Sequence, residues 1–76
     1  MNSVKVNALY QHTSGRIYQV IAVTNAGTTN EQKYPVTVVY QNVVKLTLWS
    51  RPLNDWNRSF TPVAQEAADI IRLIAL

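Results

Sequence analysis

The run "RIYQVIAVTN", Arg16 to Asn25, is the feature that most limits what this chain can become. Its β-branched and aromatic residues occupy both parities: Ile17, Ile21 and Val23 on one, Tyr18, Val20 and Ala22 on the other. Such residues stiffen at χ1 and suit a pleated strand better than a helix. A strand with one wet face would alternate apolar with polar residues. Here both faces need cover. "TSG" before the run and "AGTTN" after it mark turns, with Ser14-Gly15 closing a tight one after the opening segment "VKVNALYQH".

Two more strands are expected. "YPVTVVYQ" (Tyr34 to Gln41) repeats the two-faced pattern, with Pro35 acceptable only at its start or on an edge. "KLTLWS" (Lys45 to Ser50) follows a turn near Gln41-Asn42, and Pro52 is expected to end it. "NAGTTNEQ" reads as a polar connection. The period then changes. "FTPVAQEAADIIRLIAL" places Val63, Ala67, Ile70, Ile71 and Ile74 at helical spacing, with Gln65, Glu66, Asp69 and Arg72 on the other side. Thr61 is the expected N-cap and Pro62 the first helical residue. The expected architecture is mainly β (α+β): a small SH3-like antiparallel barrel over residues 1–60, then one C-terminal amphipathic helix over 61–76. One sheet face lines the barrel. The helix or another subunit covers the other.

A chain of 76 residues buries only about 60% of the surface it exposes when unfolded. Disulfides, a metal or association usually reinforce so small a domain. With no cysteine, one histidine and four acidic residues, neither disulfides nor a metal site is expected. Association is the route left, and a homo-oligomer, most simply a dimer, is the expectation. "MNSVKVNALYQ" lacks the apolar core of a secretory signal, and "IIRLIAL" is too short to span a bilayer. A soluble, cytoplasmic protein with no membrane partner is expected.

The net charge of +3 is uneven. Met1 to Phe60 carries Lys5, Arg16, Lys33, Lys45, Arg51 and Arg58 against Glu31 and Asp55, a balance of +4. The remainder carries −1. The first part can attract an anion, or the surplus simply aids solubility. Catalysis has little support. His12 is the sole histidine, no carboxylate pair is evident, and Gly15 and Gly27 cannot make a phosphate-binding loop. No cofactor is implied.

"LTLWSRPLNDWNRSF", Leu46 to Phe60, holds both tryptophans and two arginines. Trp49, Arg51, Trp56 and Arg58, with His12 and Tyr40, are the candidate ligand-binding residues. Arginine beside aromatic rings suits stacking on a base and pairing with a phosphate, and the same combination is enriched in protein interfaces. Each residue also has a structural alternative. Tyr40 and Trp49 suit half-buried strand positions, His12 a turn, and Arg51 the tethering of loop carbonyls. In the polar loop "NDWNRSF", Trp56 packs either on the barrel end or on something bound.

Together "YQHTSGRIYQVIAV", "VVYQ" and "LWSRPLNDW" resemble a small bacterial and phage family, domain of unknown function 1653. Tyr10, His12, Gly15, Tyr18, Val20, Val39, Tyr40, Leu48, Trp49, Arg51, Pro52, Leu53 and Trp56 carry the resemblance. It extends from Tyr10 to Phe60 and leaves the helical tail outside. The family's middle region is usually more acidic than "TNAGTTNEQKYPVT". The resemblance implies a mostly β, SH3-like domain and no established activity. The expected function is a non-enzymatic binding module for an anionic, nucleotide-like small molecule or single-stranded nucleic acid. A phage origin would add the sub-case of a protein that sequesters a host nucleotide signal. The alternative is an SH3-like interaction module that binds a peptide in an aromatic groove. A dimer could also set the Trp49–Arg58 segments of two subunits side by side as a composite anion pocket.

Overall fold

The computed structural model describes residues 4–75. Five antiparallel strands, β1 (Leu9–His12), β2 (Ile17–Thr24), β3 (Thr37–Asn42), β4 (Leu48–Pro52) and β5 (Phe60–Pro62), form one sheet in the order β4-β3-β2-β1-β5. The helix α1 (Gln65–Ala75) follows. The molecule is mainly β with a single C-terminal helix.

The strand nearest expectation is β2. The turn before it is built as the sequence suggests: Gly15 has φ 92° and donates its backbone N–H to the His12 carbonyl at 2.8 Å. Glycine is the residue that takes this φ without steric cost. In β2 the pairing with β3 slips between Val20 and Ala22. This bulge turns Ile21 out to solvent while Val20 is fully buried.

The core lies on one sheet face. Tyr10, Tyr18, Val20, Val38, Tyr40 and Phe60 point to it, and Trp56 fills it from above. Four of these are strand residues with aromatic rings, and they meet one another edge-to-face. Tyr18 meets Tyr40 at 5.2 Å and Tyr40 meets Phe60 at 5.1 Å, with interplanar angles of 80° and 70°. Rings prefer such contacts because the positive edge of one meets the negative face of another.

The expected closed barrel is not formed. The strands β4 and β5 are the two sheet edges and share no backbone ladder. The connection between them explains this. A single 3-10 turn, Leu53–Asp55, directs Trp56 into the gap, where its indole stacks on Phe60 of β5 at 3.9 Å and 6°. It also meets Tyr10 and Tyr40 edge-on at 5.4 and 5.1 Å.

Several element boundaries differ from expectation, the helix start first among them. Thr61 and Pro62 do not cap a helix. They continue β5, with Tyr10 opposite Pro62 and Gln11 opposite Thr61. A proline lacks a backbone N–H, which costs little on an edge strand. The helix therefore begins at Gln65, and a boundary drawn after Phe60 falls inside β5. Likewise β4 begins at Leu48 and includes Arg51 and Pro52, so Pro52 ends the strand from within. Arg51 is thus an edge-strand residue opposite Val38, not a turn residue. Tyr34 and Pro35 precede β3 instead of opening it.

Between β3 and β4, Asn42 organises the turn. Its buried side-chain oxygen accepts the backbone N–H groups of Val44 and Lys45, each at 2.9 Å. Leu46 adopts φ 61° and its N–H returns to the Asn42 carbonyl at 2.9 Å. The helix crosses the second sheet face, where Leu9, Gln19, Gln41 and Ile71 line a shared groove. Ala68 is buried there, and an Arg72 Nη2 donates to the Asn7 carbonyl. Among the described residues no helix is long and apolar enough to cross a membrane.

Candidate functional site, an aromatic face with an arginine

Register brings four of the six candidate residues onto the core-bearing face. Tyr40 and Trp49 are directly paired across β3 and β4, Arg51 lies two residues further along β4, and His12 pairs with Phe60. Directly opposed residues in an antiparallel pair share a face.

Trp49 is 55% exposed. Its indole N–H donates to the Thr47 hydroxyl at 3.0 Å. The polar edge is therefore occupied, and what Trp49 offers is the face of its ring. Tyr40 is 6% exposed, so only its rim can touch a ligand.

The Arg51 guanidinium lies over the Phe60 ring, 5.1 Å from its centroid. Its Nη1 donates to the Asp55 backbone carbonyl at 3.4 Å, a long contact. No carboxylate pairs with it among the described residues. Arg51 thus touches a loop carbonyl, and its charge has no carboxylate partner among the described residues.

His12 flanks Phe60 as well, with ring centroids 5.0 Å apart. Its Nδ1 accepts the Ser14 backbone N–H at 3.0 Å and lies 2.9 Å from the Ser14 hydroxyl. An imidazole nitrogen that accepts carries no proton, so the neutral ring holds its proton on Nε2. His12 thereby presents one N–H donor. The ring borders a shallow recess lined by Gln11, His12, Thr13, Gly15, Ser59 and Thr61.

The other two candidates are placed differently. Trp56 is 1% exposed and packs inside the core. Its Nε1 is buried with no hydrogen-bond partner among the described residues. Arg58 forms a two-pronged pair with Asp55, Nε to Oδ1 at 2.5 Å and Nη2 to Oδ2 at 3.0 Å. The Arg58 hydrogen bonds hold the Asp55 carboxyl below its ordinary range, and the nearby charge of Arg51 adds to the effect. Because that value is lowered, the pair is intact at neutral pH and opens only as pH falls through it. Asp55 in turn raises Arg58. Of the two arginines in this segment, Arg58 is neutralised and Arg51 is not.

Phe60 is the residue that sequence reasoning leaves out, although it holds the arrangement together. Arg51, His12, Trp56 and Tyr40 all contact its ring. The aromatic residue closing "NDWNRSF" was the available signal, but its pairing with His12 required the fifth strand.

No curated protein and no solved structure matches this chain. A family described as protein of unknown function (DUF1653) matches over residues 8–72. The match runs through most of α1, so the helical tail is part of the family's pattern and not an addition to it. The chain belongs to this family of unknown function.

Proposed function

We propose that the aromatic face binds a small anion carrying a planar ring, a nucleotide-like ligand, without transforming it. One observation carries this reading: Arg51 keeps a charge that no carboxylate neutralises among the described residues, on the same sheet face as the half-exposed ring of Trp49. A base stacks on the indole face, and the guanidinium, with the His12 Nε2–H beside Phe60, meets the phosphate. Arginine suits this role because its planar fork matches phosphate oxygens. The curled, Trp56-plugged sheet is read as an opened SH3-like barrel. The reading implies a cytoplasmic protein, and sequestration of a nucleotide signal by a phage is one use of such a site.

Amide and indole NMR spectra test the proposal, using a nucleoside monophosphate, a short single-stranded oligonucleotide and a proline-rich peptide. The mononucleotide is expected to shift the Trp49 indole N–H and the amides of Tyr40 and Arg51, with shifts that fade as salt rises. A response to the oligonucleotide alone would extend the ligand to single strands. A response to the peptide alone, insensitive to salt, would replace the proposal by a peptide groove.

A further inference from the structure

The helix docks on the sheet by the margin of its apolar stripe. At about 100° per residue, Ala68, Ile71 and Arg72 fall on one side of α1, and these are its buried or partly buried residues. The bulk of the apolar surface faces away. Ile70 is 57% exposed, Leu73 81% and Ile74 80%.

Across a groove floored by Ile17, Val43 and Ile71 stands a second apolar lip. It is the β3–β4 turn and the start of β4, where Val44, Leu46 and Leu48 are also largely exposed. Among the described residues nothing covers either lip. The two lips differ in charge. Glu66 and Asp69 flank Leu73 and Ile70 on the helix, while Arg16 and Lys45 border Val44 on the turn.

We propose that the occupant of this surface is a second copy of the same chain, related by a two-fold axis. Each half of the required complement is already present on one molecule: an acidic helix with an apolar ridge, and a basic turn with an apolar lip. A two-fold axis lays the helix of each copy on the turn of the other, so that every contact is made twice. The exposed side chains of Ile70, Leu73, Ile74, Val44, Leu46 and Leu48 supply the apolar contact, and the opposite charges of the two lips fix how the copies meet. The surface lies on the sheet face opposite Trp49 and Arg51, so the dimer leaves both aromatic faces free and does not combine them into one pocket.

Sedimentation equilibrium on the full chain at micromolar concentration tests this. The expected mass is twice the 8.6 kDa of one chain. Changing Leu73→Asp and Ile74→Asp together is expected to raise the dimer Kd about a hundredfold, with far-UV circular dichroism retained. Because that change could loosen the helix, a charge exchange gives a second readout. Lys45→Glu and Glu66→Lys should each weaken the dimer, and the two combined should restore it. A wild-type monomer at these concentrations overturns the proposal, as does a dimer indifferent to both sets of changes. Neither result bears on ligand binding at the aromatic face.

Discussion

Trp56 shows how one side chain can decide both a fold and the reading of a site. Its indole is stacked on Phe60 and held edge-on by Tyr10 and Tyr40, so it has no surface left for a ligand. Its buried Nε1 lacks a hydrogen-bond partner among the described residues, a cost of about 1–3 kcal/mol set against a large apolar burial. The two effects separate on substitution. Trp56→Ala empties the plug and is expected to cost about 3–5 kcal/mol, a large share of the roughly 4–11 kcal/mol that a domain of this length possesses. Trp56→Phe keeps a stacked ring and removes the unpaired donor, so its cost is expected to stay within about 2 kcal/mol. Urea unfolding measures both. Equal costs would mean that a phenyl ring restores none of the plug and that removing the indole N–H relieves nothing.

At the scale of elements, the turn between β3 and β4 depends on Asn42 more than on its apolar neighbours. Two backbone N–H groups end on its buried side chain, while Val44 and Leu46 project into solvent. Asn42→Ala is expected to destabilise the protein by about 1–3 kcal/mol, because it strands two donors near a buried position. Thermal melting reads the loss, and an unchanged midpoint would show that water replaces the side chain. The sequence made β2 legible because its β-branched run is bounded by turn residues on both sides. It also made the existence of α1 legible through its apolar spacing. It did not reveal β5, a strand of three residues with too little periodicity to register. That omission displaced the helix start, since Thr61-Pro62 has the chemistry of a cap but the partners of an edge strand. The same limit applied to the site. Tyr40, Trp49, Arg51 and His12 could be named from residue types, but which arginine keeps its charge depended on the 3-10 turn that brings Asp55 to Arg58.

For the whole molecule, the two sheet faces divide the work. One buries an aromatic core and carries exposed Trp49 and partly buried Arg51 at its β4 edge; the other carries a helix whose stripe is half covered. On the first face, Arg51 is where structural and binding roles part. Partly buried, its guanidinium holds Phe60 through a contact worth about 0.5–2 kcal/mol, whereas its charge-assisted bond to a phosphate forms only when ligand is bound. Calorimetric titration of a nucleoside monophosphate into wild-type protein and Arg51→Ala, with a melting curve of each, compares the two. The substitution is expected to weaken binding by about 1.5–3 kcal/mol and to lower free-protein stability by no more than about 2 kcal/mol. Unchanged affinity, or a free protein that melts far lower before any ligand is added, would contradict it.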